Sequence, residues 1–183
     1  VVTHFHPDHV GLAGWLQADG FVGQYSRGTN AGSLTVEFMT CNDEEYEFLL
    51  PHINRIFEGI HRHVRVAQTQ SDALLVRRIR LYGEPLRVFV DRYGLTARGL
   101  DMRVPEPIRS GGRQVAAAYI KALFQADGTV REHAGETDSF DVVLGSISES
   151  LVRDVQHLMA NMGIYSRRIP CRDSREDRKT YWQ

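Results

Sequence analysis

The stretch LAGWLQADG, residues 12–20, returns in altered form as IKALFQADG, residues 120–128. Each copy is an apolar run that ends in Gln-Ala-Asp-Gly, and one residue then separates it from a valine. Residues three and four apart lie on one face of a helix, so each run predicts a helix with a stripe of small side chains. The repeat therefore predicts two related halves, each beginning with an apolar helix that ends at an aspartate.

Small side chains on the two helices predict close packing of their backbones. Gly14 and Ala18 lie four residues apart in the first run, and Ala118, Ala122 and Ala126 repeat this spacing in the second. Stripes of small residues let two helix axes approach closely. The glycine after each run suits the left-handed residue that often ends a helix. We therefore expect the two helices to form an interface and to end side by side.

This packing would bring together the carboxylates of Asp19 and Asp127. Both lie at helix C-termini, where the helix dipole disfavours negative charge, and each repels the other. Carboxylate oxygens in such an arrangement favour a hard divalent cation such as Mg²⁺. A core helix followed by an ordinary turn is the alternative for either run alone, but the shared Gln-Ala-Asp-Gly-x-Val sequence favours the paired arrangement.

At these residues the chain resembles the LAGLIDADG homing endonucleases. Residues 12–20 match the motif that names the family except at positions 15–17, and the second copy keeps the Ala-Asp-Gly end. Residues 104–108, VPEPI, resemble the Lys-x-Ile-Pro block of intein-borne members. Residues 14–57 are similar to endonuclease domains of inteins in ribonucleotide reductases. The resemblance covers roughly residues 10–183.

The resemblance implies a site-specific endonuclease that cleaves double-stranded DNA with Mg²⁺, for which Mn²⁺ would substitute. It also implies a monomer with internal pseudo-twofold symmetry and a long, pseudo-palindromic DNA site. Asp19 and Asp127 would bind the metal as catalytic residues. The family's lysine before the second motif falls at Met102, and Arg103 beside it is the candidate catalytic cation. A DNA-binding module that does not cleave is an alternative.

The order of helical and strand patterns predicts an α+β fold of two pseudo-symmetric αββαββα halves. The family resemblance further implies that the motif helices pack at the interface and that each half contributes to a curved antiparallel sheet that binds DNA. The second half seen here would lack its last strand and closing helix. The predicted parts are a flanking segment at 1–9, a first half at 10–94, a linker at 95–112 and an incomplete second half at 113–183.

Local signals predict where several elements begin and end. Asn42 with Glu45 resembles a capping box, and the helix that it opens contains Pro51, which we expect to interrupt or kink it. Ser148 predicts the N-terminus of a later helix. A strand is expected over residues 164–170.

Charge and composition leave DNA binding open. The net charge of −1 argues mildly against a nucleic-acid partner, but arginines cluster in predicted strands, where they can contact phosphates. Two cysteines give no disulfide framework, and no apolar stretch has membrane-spanning length. We expect a cytoplasmic protein of prokaryotic or phage origin. The candidate DNA contacts are Gln24, Tyr25, Arg62, Arg65, Arg78 and Arg80.

A competing pattern lies at the N-terminus, where residues 4–9 read HFHPDH. They match the His-x-His-x-Asp-His signature of the metallo-β-lactamase fold, in which the segment ends a strand. His4, His6, Asp8 and His9 would then bind Zn²⁺. The remaining histidines lack the surroundings that this fold needs for its further ligands. A fragment of a zinc hydrolase is therefore the alternative function.

Overall fold

The computed structural model describes residues 6–24, 32–68, 75–133, 139–172 and 180–183. These residues form an α+β fold whose second half repeats the opening order of the first. In chain order the elements are α1 (Pro7–Asp19), β1 (Gly20–Gln24), β2 (Leu34–Thr40), α2 (Asp43–Ile56), β3 (Arg62–Gln68), β4 (Leu75–Tyr82), α3 (Arg87–Arg92), α4 (Glu106–Arg109), α5 (Arg113–Asp127), β5 (Gly128–His133), β6 (Ser139–Leu144), α6 (Glu149–Asn161), β7 (Pro170–Cys171) and β8 (Tyr181–Trp182).

The first half is built on a four-stranded antiparallel sheet in the order β1-β2-β4-β3. Because side chains alternate along a strand, one face of this sheet is apolar and packs under the helices. Leu34, Val36 and Phe38 of β2 and Ile79 and Leu81 of β4 form that face and are almost completely buried. The opposite face carries polar and charged side chains.

The second half repeats helix, strand, strand, helix. The strands β5 and β6 form an antiparallel hairpin, and a bridge between Ser146 and Trp182 places β8 alongside the end of β6. The expected strand over 164–170 is wrong for most of its length, because ladder pairing begins only at Ile169. There Ile169 exchanges two backbone hydrogen bonds with Gln183, of 2.8 and 3.0 Å.

Two predicted helix starts are confirmed. The Asn42 side chain accepts a 2.8 Å hydrogen bond from the Glu45 backbone N–H, and the Ser148 hydroxyl accepts one of 3.1 Å from Leu151. The expected interruption at Pro51 is wrong, since α2 runs unbroken from Asp43 to Ile56. A proline removes only one helix hydrogen bond, and buried residues on both sides of it hold α2 against the core.

The segment predicted as a linker, 95–112, is packed against the core. It contains a 3₁₀ turn at Gly99–Asp101 as well as α4, and it buries Leu95, Val104 and Ile108. Its position therefore depends on apolar contacts with the hydrophobic core. Among the described residues, no helix combines the length and apolar character needed to cross a membrane.

Candidate active site and nucleic-acid interface

The helices α1 and α5 pack closely through small residues. A Cβ atom added to Gly14 would lie only 2.7 Å from the carbonyl oxygen of Tyr119, and 3.4 Å from the Cβ of Ala122. Real Cβ atoms do not approach a backbone oxygen so closely, so the contact at Gly14 requires glycine. Ala122 is buried, and Ala18, Ala118 and Ala126 are partly buried against the same core.

Both motif helices lead directly into strands. Gly20 and Gly128 are extended, with φ of −128° and −80°, so the expected left-handed helix ends are wrong. The glycines are needed instead because the chain folds back on its own helix. A Cβ at Gly20 would lie 2.6 Å from the Cα of Leu16, and one at Gly128 would collide with the carbonyl oxygen of Phe124. Each aspartate is therefore fixed between a helix and a strand.

The structure brings the carboxylates of Asp19 and Asp127 within electrostatic reach of each other. Partial burial, and next the charge of Asp19, raise the pKa of Asp127 to about 6. Partial burial, followed by the charge of Glu45, raises the pKa of Asp19. Both shifts mean that ionised carboxylates are disfavoured here without a counter-charge. The helix ends therefore form a region of negative potential that a cation would relieve.

The donor chemistry of this region fits a hard divalent cation. Asp19 and Asp127 offer oxygen ligands from two helices. Mg²⁺ in proteins is commonly held by one or two carboxylates, with water and phosphate oxygens completing its shell. In the described part of the chain, no three His, Cys, Asp or Glu side chains form a group that could hold a metal without such a substrate.

A buried hydrogen-bond network lies behind the two carboxylates. The hydroxyl of Tyr119 donates to Oε1 of Gln17 over 2.6 Å, and Nε2 of Gln17 donates to the carbonyl oxygen of Arg103 over 2.9 Å. Tyr119 is completely buried, and this burial raises the pKa of its hydroxyl far above the usual value. The network ties α1, α5 and the 95–112 segment together two residues before Asp19.

The predicted catalytic cation, Arg103, is held by an ion pair. Its Nε and one terminal nitrogen each lie 3.2 Å from a carboxylate oxygen of Asp154, which is buried on α6. A buried carboxylate needs such a partner. The neighbouring Met102 packs against the core, and its carbonyl oxygen accepts a 2.6 Å hydrogen bond from Ser148. This geometry gives Arg103 a structural partner, and its catalytic role stays a prediction.

The predicted DNA-contacting residues divide between the two faces of the first sheet. Arg65 pairs with Arg78 across β3 and β4, and Arg80 follows two residues later, so these three share the outer face. Arg62 pairs with Leu81 and is therefore on the helix side, where it donates to Asn54 of α2.

Two further candidates are not brought to the outer arginines. Gln24 pairs with the buried Leu34 at the end of β1, and so lies on the helix side of the sheet. Tyr25 lies outside the described residues.

Sequence reasoning missed three outer-face residues. Phe21, Glu37 and His63 form one cross-strand row with Arg80, because Phe21 pairs with Glu37, Glu37 with Arg80 and His63 with Arg80. Glu37 is almost completely buried, although it is charged and lies on the face opposite the core. For Glu37 the sequence contained a signal: it is the one charged residue of the strand LTVEFMT, and the alternation of side chains along β2 places it on the face opposite the core.

Among the described N-terminal residues, His6, Asp8 and His9 belong to no group of metal-binding side chains of the kind that a zinc hydrolase needs. Residue His6 caps α1, with its Nδ1 3.3 Å from the backbone nitrogen of Asp8, so the motif opens a helix instead of ending a strand. The carboxylate of Asp8 pairs with Arg55 and lies 3.1 Å from Nδ1 of His52. His4 lies outside the described residues. The zinc-hydrolase alternative is therefore not favoured.

Sequence comparison identifies relatives for part of the chain. Residues 114–183 match the LAGLIDADG-like domain family. A segment of 64 residues, which is 35% of this chain, is 39% identical to part of the ribonucleoside-diphosphate reductase NrdEB subunit alpha of Bacillus subtilis (strain 168). The same subunit from Bacillus phage SPbeta matches equally. The matched segment spans only 6% of the length of these relatives.

Structural comparison covers nearly the whole chain. The homing endonuclease I-DmoI matches with a TM-score of 0.65 and 14% identity, over 96% of this chain and 86% of that one. A variant of I-DmoI, solved in complex with its target DNA and in the presence of Mn, matches with a TM-score of 0.67 and 13% identity. This match covers 96% of this chain and 85% of that one. The N-terminal LAGLIDADG domain of DUF199/WhiA matches with a TM-score of 0.58 and 13% identity, over 100% of this chain and 76% of that one. The resemblance seen in the sequence is thus confirmed: the chain has the fold of the LAGLIDADG homing endonucleases.

Proposed function

We propose that this chain is a site-specific endonuclease domain that cleaves double-stranded DNA with a divalent metal ion held by Asp19 and Asp127. The observation that carries the proposal is that two closely packed helices end at carboxylates near enough for the charge of Asp19 to raise the pKa of Asp127. Their raised pKa values support cation binding, because a bound cation would offset their repulsion. Solved relatives with this fold support it further, since I-DmoI is in complex with DNA and Mn or Ca.

The first sheet supplies a surface for DNA next to these carboxylates. Because β1 begins at Gly20, the outer-face row closest to Asp19 contains Met39, Arg78 and Arg65. Arginines on a sheet can neutralise phosphates, and the release of counterions then contributes most of the non-specific affinity. The DNA backbone would thus be drawn towards the two carboxylates, where the scissile phosphate must lie.

The residues around the two carboxylates have distinct roles in the proposed reaction. Ionised Asp19 and Asp127 bind and orient the cation, and the Gln17–Tyr119 hydrogen bond fixes the helices that carry them. When bound, the metal activates a water molecule and stabilises the leaving oxygen of the cleaved phosphodiester. Mg²⁺ is the proposed ion, and Mn²⁺ would substitute. Arg103 would assist only by releasing Asp154 or by using the exposed edge of its guanidinium.

The two related halves suggest the form of the DNA site. Helices α1 and α5 lead into corresponding hairpins, β1–β2 and β5–β6, so the two halves present similar but unequal surfaces. This arrangement supports the proposal that a monomer binds a long, pseudo-palindromic site. The similarity to ribonucleotide reductase subunits supports an origin in an intein within such a gene.

A cleavage selection would test the proposal. The protein is incubated with a plasmid library that carries random inserts, in Mg²⁺ or in a chelator, and the cut ends are sequenced. We expect cutting at one long site in Mg²⁺ alone. Asp19→Asn and Asp127→Asn should bind that site without cutting it, and Glu132→Gln, which changes an exposed carboxylate on β5, should cut normally. Undiminished cleavage by either aspartate variant would overturn the assignment.

The same experiment decides between a nuclease and a DNA-binding module that does not cleave. The module is favoured by one observation, the apolar Met102 at the position of the family's lysine. It predicts tight, salt-dependent binding of a selected site with no cutting in Mg²⁺ or Mn²⁺. The endonuclease predicts cutting in both metals.

A further inference from the structure

We infer that Glu37 is a positioning residue, which holds Arg80 and Arg78 on the outer face of the sheet so that Arg80 reads a guanine base. This inference rests on the proposed DNA-binding function and names the base class that this part of the sheet would recognise. The inference is motivated by the position of the Glu37 carboxylate. A carboxylate lies on the face that is proposed to meet DNA, where it would repel phosphates.

The contacts of Glu37 show how that charge is held. Its side chain is 5% exposed, and its Oε2 accepts from Nε of Arg80 over 2.6 Å and from a terminal nitrogen of the same guanidinium. Its Oε1 lies 3.5 Å from a terminal nitrogen of Arg78. One buried carboxylate is therefore shared by two arginines from the neighbouring strand, whose side chains stay 38% and 44% exposed.

The contacts of Arg80 do not use all of its donors. A guanidinium has five N–H donors in a fixed plane, of which Glu37 accepts from Nε and one terminal nitrogen and Tyr82 takes a further bond. The donors that remain are on the two terminal nitrogens, and such donors match O6 and N7 of guanine in the major groove. An arginine that is held through some of its donors and keeps others for a base is pre-oriented for bidentate base recognition. A flexible arginine would instead follow the nearest phosphate.

Two further side chains share the outer-face row of this arginine, and a third bonds it. Phe21 and His63 lie at the two ends of the same cross-strand row, and Arg80 also bonds Tyr82 on its own strand. The Phe21 ring lies flat along β1, because a Cβ at Gly23 would be only 2.5 Å from it. Arg80 is thus held by Glu37 from the neighbouring strand and by Tyr82 from its own.

A positioning role for Glu37 and a merely structural ion pair predict different effects of Glu37→Gln on DNA binding. Glu37→Gln removes a negative charge from the DNA-binding face, so it should strengthen non-specific binding. The same change frees Arg80, so it should weaken discrimination at one base pair. A loss of structure would instead lower the affinity for every sequence together.

The test begins with selection of a binding site by the wild-type protein from a library of random duplexes. Competition assays then compare the selected duplex with versions in which each G·C pair is changed to A·T. We expect one G·C pair at which the preference, about 5- to 150-fold for a bidentate contact, falls close to one in Glu37→Gln. Arg80→Lys should lose the preference at the same pair. Arg65→Ala should weaken binding to all duplexes alike.

Each outcome supports or overturns the inference. Retained preferences in Glu37→Gln, or a uniform loss of affinity, would overturn it and leave the proposed endonuclease function intact. Should Glu37→Gln fail to fold, retention of every preference by Arg80→Lys would overturn it equally. A wild-type protein that selects no sequence would refute the proposed function, and the inference with it.

Discussion

Replacing Asp127 with asparagine should stabilise the metal-free protein. Ionisation of this carboxyl is penalised by the fold, because its pKa is raised to about 6 from an ordinary value of about 3.9. The fold binds this proton more tightly than the unfolded chain does. The contribution of this carboxyl to stability is therefore fully present below about pH 4, is lost as the pH rises through the folded-state pKa of about 6, and stays absent at neutral pH.

The magnitude follows from the same difference. A pKa difference of about 2 corresponds to about 3 kcal/mol if it is fully expressed. Asp127 is only partly buried and much of its surface remains open to water, so screening reduces the stability effect to about 1 kcal/mol. In a chain of 183 residues, this free energy changes the melting temperature by about 2–4 °C.

Calorimetry in a chelating buffer provides the assay. Asp127→Asn should melt higher than the wild type at about pH 8 and at the same temperature at about pH 4. Added Mg²⁺ should raise the melting temperature of the wild type and leave that of Asp127→Asn nearly unchanged, because the variant has lost one metal ligand. Glu132→Gln serves as the control and should behave as the wild type. An equal gain at both pH values, or none, would refute the repulsion argument.

Three further predictions concern packing and DNA binding. Gly14→Ala should lower stability by about 1–3 kcal/mol in thermal unfolding, because its Cβ meets a backbone oxygen at 2.7 Å. Gly11→Ala, with 3.9 Å of room on the same helix, should be neutral or stabilising. Tyr119→Phe should cost about 1–3 kcal/mol in denaturant titrations by removing a buried hydrogen bond, whereas Tyr165→Phe, at a 93% exposed position, should cost nothing. Arg65→Ala should reduce the slope of log affinity against log salt by about 1 in DNA titrations.

Clear results would contradict each of these. Equal stabilities of the Gly14 and Gly11 variants would show that α1 and α5 do not approach as described. An unchanged free energy of unfolding in Tyr119→Phe would mean that its hydrogen bond is replaced by water. An unchanged salt slope in Arg65→Ala would remove that residue from the phosphate contacts.

The paired helices were predictable because their signal is local and repeated. The spacing of Gly14 and Ala18 and its counterpart on α5 follow from helix periodicity, and the aspartates follow directly in the sequence. The conformation of Gly20 and Gly128 was not predicted correctly. A helix-end glycine is commonly left-handed, but here the strand begins at once and draws the backbone into an extended conformation.

The candidate DNA-contacting residues, which are neighbours in sequence, divide between the two faces of the first sheet, and their contacts with DNA stay a prediction. Arg62 and Arg65 are three residues apart, so they point to opposite faces of β3, and only Arg65 joins the outer arginines. Alternation alone could have separated them. The ion pair between Arg103 and Asp154 joins residues 51 apart, and nothing local in the sequence predicts it.

The N-terminal pattern shows how one sequence motif suits two structures. His6 and Asp8 fit a metal-binding signature, but the same residue types cap a helix and pair with basic side chains. The choice between these depends on what precedes and follows the segment. Here α1 must continue into the interface with α5, and the motif therefore becomes the start of a helix.

The central claim is that Asp19 and Asp127 meet to hold a divalent metal at the DNA. The most direct test is to locate Mn²⁺ by anomalous scattering in crystals of the protein bound to its selected duplex. We predict an anomalous peak between the two carboxylates, in contact with a phosphate oxygen. Carboxylates that lie apart, or a peak confined to His6, Asp8 and His52, would contradict the account.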